Sequence, residues 1–313
     1  MKQTTALAVM PGMVTAECST WTILLTILFF PAAVRPASLE PATLKAWVEY
    51  VDSANKRMEQ RLGPGKTFLW VDEAHDRLAK VRAGEIVVAP VGPENPKRVP
   101  SGLIHDWVGA VFIAHATLND VLPVVRDYAR FKEMYQPVVL DSKVIATSEA
   151  EDRFSMLLVN KSFFMKTAFD TDYESCYFHV DDRRVYSVSR STRIQEIEEY
   201  GSGAQHFLPD GEGSGVIWRL FSTTRFFERD GGVYLELEAM GLSRDIPVSL
   251  RWLVAPIVSR VSRGSLLTSL RQTENAARLR AELAGRKAGS ARSTAVAVRT
   301  ARPPRCVSAR APS

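Results

Sequence analysis

The run Val216–Leu242 constrains the fold more than any other stretch of the chain. Two segments rich in β-branched and aromatic residues, VIWRLFSTTRFFER and GVYLELEAMGL, flank Asp230-Gly231. A two-residue hairpin turn of the twist-compatible type needs positive φ at both central positions, which Asp and Gly tolerate. The expected register sets Arg229 opposite Gly232, Arg225 opposite Glu236, Phe226 opposite Leu235 and Thr223 opposite Glu238. One face then carries Arg219, Phe221, Arg225, Phe227, Tyr234, Glu236 and Glu238. The other carries Trp218, Leu220, Ser222, Thr224, Phe226, Val233, Leu235, Leu237 and Ala239. The second face is nearly free of charge and must be covered. The apolar helical stretch beginning near Pro247, with Leu250, Leu253, Val254, Ile257 and Val258, is the nearest cover. Arg225 and Glu236, on the first face, read as a cross-strand surface pair.

The rest of the chain fits an antiparallel α+β order. Pro41 opens a helix whose apolar residues Leu44, Trp47, Val48, Val51, Met58 and Leu62 recur at helical spacing until Gly63-Pro64-Gly65 stops it. Phe68–Val71 and Glu85–Val91 read as strands, and a Pro-rich stretch follows to Pro100. Leu103–Ala114 is a strand. Thr117 and Asp120 have capping-box spacing for a helix after it. Strands are expected over 138–147, 153–162, 165–179 and 185–200, joined by short turns. The final helix is expected to kink at Pro256 and restart at Ser262. Gly65-Lys66-Thr67 is no phosphate loop, because position 60 is Gln60 and a helix, not a strand, precedes it.

Composition bounds function. The net charge is +5, but seven Lys and Arg and no acid lie between Arg286 and Ser313, so the remainder is mildly acidic. A nucleic-acid-binding core is not indicated, and no specific nucleic acid is expected. The three cysteines, Cys18, Cys176 and Cys306, are far apart and make neither a disulfide framework nor a metal spacing. No histidine pair has ligand spacing, so no metal and no cofactor are implied. Trp21–Val34 is a continuous apolar run, shorter than the roughly 20 residues of a membrane span, and small residues follow it. It reads as an export signal, giving an exported or periplasmic protein, with an uncleaved membrane anchor as the alternative. The expected organisation is a leader over 1–37, a helix with short strands and a linker over 38–100, the main domain over 101–284, and a disordered basic tail over 285–313. That tail could touch an anionic membrane surface.

Four stretches, HDWVGAVFIAHATLNDVLPVVRDYARFKEMY, YSVSRSTRIQEIEE, VIWRLFSTTRFFERDGGVYLELEAMGLSRDIP and RWLVAPIVSRVSRGSLLTSL, resemble bacterial members of the START/polyketide-cyclase-like superfamily. The resemblance spans residues 101–280. It implies a helix-grip fold, a curved antiparallel sheet around a long C-terminal helix, and an apolar cavity between them. The residues expected to line it are Trp218, Leu220, Ser222, Thr224, Phe226, Leu235, Leu237, Leu253 and Ile257, with Arg193 as a possible inward cation. Arg190 and Arg193 are an odd number of residues apart, which puts them on opposite faces of a regular strand. The implied function is binding or transport of a hydrophobic small molecule or lipid. A cyclase-like enzyme using Arg193, Tyr186 or His115 is the alternative, and a non-catalytic membrane-surface module a second one.

Overall fold

The computed structural model describes the backbone of residues 37–148, 151–162, 165–246 and 248–290, and their side chains except those of 160–166, 248–257 and 285–290. Residues 1–36 of the leader and residues 291–313 of the tail lie outside the described residues, so the expectations placed on them do too. The described residues belong to one compact unit.

The strands in chain order are β1 (Ala37–Ser38), β2 (Val87–Pro90), β3 (Lys97–Val99), β4 (Gly102–Ala114), β5 (Val139–Thr147), β6 (Asp152–Ser162), β7 (Met165–His179), β8 (Arg184–Glu198), β9 (His206–Phe207), β10 (Glu212–Gly213), β11 (Arg219–Arg229) and β12 (Gly232–Arg244). The helices are α1 (Pro41–Arg61), α2 (His75–Arg82), α3 (Leu118–Val125), α4 (Phe131–Met134) and α5 (Val248–Ser290). One antiparallel sheet has the order β2-β4-β12-β11-β8-β7-β6-β5, with β3 on β4 and β9 on β8. The β11–β12 register is the expected one, from Arg229 opposite Gly232 outward. Asp230 and Gly231 take φ of 55° and 77°, as the turn requires. The Asp120 carboxylate accepts from the Thr117 amide at 2.9 Å and caps α3.

Three local expectations are corrected. Trp70–Glu73 is a 3-10 turn rather than part of a strand, because Glu236 caps it by accepting from the Trp70 and Val71 amides at 2.9 and 3.1 Å. Helix α5 runs unbroken for 43 residues through Pro256 and Ser262. A proline removes one backbone hydrogen bond, and the buried Leu266, Leu270 and Ala277 anchor the helix downstream. Helix α5 also continues past 284 to Ser290.

The sheet is covered on both faces. On one, α5 and α3 pack against Val111, Ile113, Phe226, Val233 and Leu235 through Leu266, Leu270 and Ala277. On the other, α1 brings Trp47 and Ala54 onto Ile104, Trp218, Phe221 and Met240, while Met58, Phe68, Leu69 and Val71 meet Phe112 and Tyr234. The expected surface pair is therefore buried. Arg225 is 1 % exposed and Glu236 0 %. Arg225 donates to Glu236 at 2.6 Å and to Glu238 at 3.1 Å, and Arg57 of α1 donates to Glu238 at 3.0 Å. Tyr50 of α1 donates to Asp106 at 2.8 Å. Residues 37–100 thus add β2 and β3 to the sheet, and α1 closes one of its faces.

Candidate functional site

The site follows from where α5 touches the sheet and where it does not. Gly109 on β4 lets the helix approach. A Cβ there would stand 2.6 Å from Leu270 Cδ1 and 3.0 Å from Val88 Cγ2. Around that contact the face is sealed: Val111, Ile113, Val233 and Phe226 are fully buried, and Leu235 is nearly so. Farther along β11 and β12 the same face changes character. Leu220, Ser222, Thr224, Leu237, Ala239 and Gly241 are only half-buried, although they face the α5 side.

Cross-strand pairing sets small residues along this stretch. Thr224 lies opposite Ser187 and Leu237, and Ser222 lies opposite Ser189 and Ala239. Ser187, Ser189 and Ser191 recur at a spacing of two on β8, so all three share this face. The floor is built of small residues, and small residues leave volume above a sheet. Its hydroxyls are partly engaged: Ser175 Oγ donates to Ser189 Oγ at 2.7 Å, and the Leu220 amide donates to Ser191 Oγ at 2.9 Å. A wall of aromatic rings stands beyond β8, where Tyr128 stacks on Phe154 at 4.1 Å and Phe154 on Tyr173 at 5.1 Å. The buried Asp152 under that wall is neutralised by two 2.8 Å bonds from Arg126 and one of 3.0 Å from Tyr128. Tyr135 and Thr273 share a 2.8 Å hydrogen bond that ties the end of α4 to α5.

Strand β4 forms the opposite margin. His105 is 8 % exposed, and its Nε2 lies 3.0 Å from Ser243 Oγ. Burial pushes its pKa down to about 4, so the ring is neutral at ordinary pH. Among the described residues its Nδ1 has no partner, and neither has the buried indole Nε1 of Trp107, two residues along the same face. Leaving a buried polar group unsatisfied costs about 1–3 kcal/mol.

The expected lining residues divide into four groups. Leu220, Ser222, Thr224 and Leu237 border the open stretch, whereas Phe226 and Leu235 belong to the sealed core. Trp218 packs instead on the α1 side with Trp47, because it precedes the first paired residue of β11 and the strand alternation does not reach it. Arg193 also faces away from α5. A bulge between β7 and β8 pairs Arg190 with Glu174 and Arg193 with Asp172, so both arginines share the outer face. There Arg193 donates to Asp172 at 2.7 Å and to Asp170 at 2.8 Å. The side chains of Leu253 and Ile257 lie outside the described residues. Tyr186 stacks on Phe178 at 4.7 Å on the outer face, and His115 is exposed at the end of β4 with φ of 62°. The serine alternation on β8 and the glycine at 109 are signals present in the sequence. The unpartnered nitrogens of His105 and Trp107 have no sequence signal.

A ten-stranded antiparallel sheet with a long C-terminal helix seated against it at Gly109 has the architecture of a helix-grip fold. Solved structures similar to it include the STAR-related lipid transfer protein of Xanthomonas axonopodis, at 15 % identity over 62 % of this chain and 98 % of that one, with a TM-score of 0.38. Human STARD10 is similar at 9 % identity over 74 % and 89 %, with a TM-score of 0.39. The Zhui aromatase/cyclase from Streptomyces is similar at 10 % identity over 59 % and 98 %, with a TM-score of 0.34. No protein-family model matches the sequence, and no curated protein matches it.

Proposed function

We propose that this protein binds a hydrophobic small molecule or lipid in the trough between the β8–β11–β12 floor and α5. One observation carries the proposal: the face is sealed where Phe226 and Leu235 meet the helix, yet half-buried where Leu220, Ser222, Thr224 and Leu237 continue it. An amphipathic sheet face with small side chains beside a fixed helix suits an apolar guest better than a filled core. A cyclase-like reaction has less support. Of its candidate acid–base groups, Arg193 is held by two carboxylates outside the trough, Tyr186 is on the outer face and His115 is exposed. The test is native mass spectrometry of the full chain with organic extraction of what co-purifies. A stoichiometric apolar adduct is the expected result. A ligand-free chain that also takes up no apolar probe from solution would overturn the proposal.

A further inference from the structure

We propose that the outer face of β5–β8 carries a second ligand site, a shallow cleft that takes one ring of a neutral saccharide. The site is separate from the trough and does not depend on the function proposed above. Helix α1 covers the outer face around β4, β11 and β12, where Trp47 and Ala54 meet Ile104, Phe221 and Met240. Beyond that cover, between β5 and β9, lies an open cleft of about 290 Å³. Ligand pockets run from about 300 to 1,000 Å³, so this one has room for a single small ring. Leu157 and Ile197 give it an apolar floor. Phe207 pairs with Ile197 across β8 and β9, lines the cleft, and leaves 52 % of its surface exposed. Asp141 on β5 and Asp170 on β7 both lie opposite Leu157, one on each side of it. The cleft thus joins an exposed ring and an apolar floor to a polar frame.

The charges of that frame are already matched. Asp141 accepts from Lys132 at 3.0 Å and lies 3.3 Å from Lys143. Arg193 donates to Asp172 at 2.7 Å and to Asp170 at 2.8 Å. Lys132, Lys143 and Arg193 therefore balance Asp141, Asp170 and Asp172, and an ionic guest finds no net charge to meet. A wholly apolar guest would strip water from these groups without replacing its hydrogen bonds. The groups left to recruit are uncommitted single positions. Among the described residues, Ser155 Oγ, Asp170 Oδ1 and Gln205 Nε2 make no hydrogen bond, while Gln205 Oε1 accepts from the Gly201 amide at 3.0 Å and so orients its own NH2. They supply one group that donates and accepts, one acceptor and one donor. A pyranose answers all of them, because each hydroxyl both donates and accepts. Its axial C–H groups also give it an apolar face to lay on the Phe207 ring. Arg193 holds the Asp170 carboxylate in place before any ligand arrives, which lowers the ordering cost of binding.

The experiment titrates the full chain, followed by NMR, with methyl β-glucoside, methyl β-galactoside, methyl α-mannoside and N-acetylglucosamine. Adenosine and tetramethylammonium serve as a flat base and a cation for comparison. At least one sugar is expected to shift the Gln205 side-chain amide and the Phe207 ring resonances saturably, with a Kd on the order of 1 mM for so small a ligand. This readout needs no variant to fold. Phe207→Ala, a change at a half-exposed ring, is expected to weaken the sugar about five- to tenfold, and Ser155→Ala to weaken it severalfold. Leu279→Ala, on the exposed side of α5, is expected to leave it unchanged. No saturable shift with any of the sugars would overturn the site. So would sugar binding that Phe207→Ala leaves intact, and so would tighter binding of adenosine or tetramethylammonium. None of these results bears on the trough, whose apolar ligand is tested separately.

Discussion

The buried Arg225 gives the sharpest quantitative test of how this sheet is covered. Replacing Arg225 with Met keeps the length and apolar volume of the side chain and removes its charge and its bonds to Glu236 and Glu238. Glu236 is 0 % exposed and stays buried. Breaking a buried pair by deleting one partner costs about 3–5 kcal/mol, because the remaining charge is left without compensation. Two features place the cost near the lower end. Glu236 keeps the amides of Trp70 and Val71, and Glu238 keeps Arg57 at 3.0 Å. A loss of roughly 3 kcal/mol corresponds to a drop in melting temperature of about 6–12 °C for a chain of this size. Urea unfolding of the wild type and Arg225→Met at neutral pH measures it. Hydrogen exchange should also report faster opening at Trp70 and Val71, whose amides depend on the same carboxylate. A change below about 1 kcal/mol with unaltered exchange would mean that the pair is a solvated surface contact and that α1 does not close this face.

Asp106 gives a pH test. Burial first, and Glu238 next, push its carboxyl up to about 7 from an ordinary 3.8, so the folded chain holds a proton that the unfolded chain has released. This group therefore makes stability fall as pH rises from about 4 to about 7 and adds no slope above that. Asp106→Asn should remove this component, and a stability difference from wild type that is constant across the window would refute it. Gly109→Ala should destabilise by about 1–3 kcal/mol, because the new Cβ drives into Leu270 Cδ1, and trimming Leu270 should recover part of the loss. Thermal melts of the single and double variants read the coupling; additive losses would show that α5 does not seat there. The apolar leader Trp21–Val34 predicts a mature N terminus between Ala32 and Glu40, and intact mass of the exported chain checks it.

How far the sequence reveals this fold depends on which alternation is local. The β11–β12 register is legible because Asp230-Gly231 fixes it, and each pair outward follows from the spacing of two. What covers each face is a long-range property. A strand face bearing Arg225, Glu236 and Glu238 has the composition of a solvated surface, and nothing within the hairpin announces that Trp47, Met58 and Leu69 will land on it. The charges are tolerated there because they satisfy one another and cap the turn at Trp70, which only the assembled structure can show. The same limit applies to Arg193, whose direction reverses with one extra residue in β8 that the alternation of side chains does not betray. The proposed trough lies between these extremes. Its floor is written in Ser187, Ser189 and Ser191 and in Ser222 and Thr224, residues too small to fill the space above a strand. The other local signal is Gly109, which lets α5 seat against β4. On the proposed binding function, the seat of α5 at Gly109 also bounds the trough, so lengthening the side chain at that one contact should weaken uptake of an apolar ligand as well as stability.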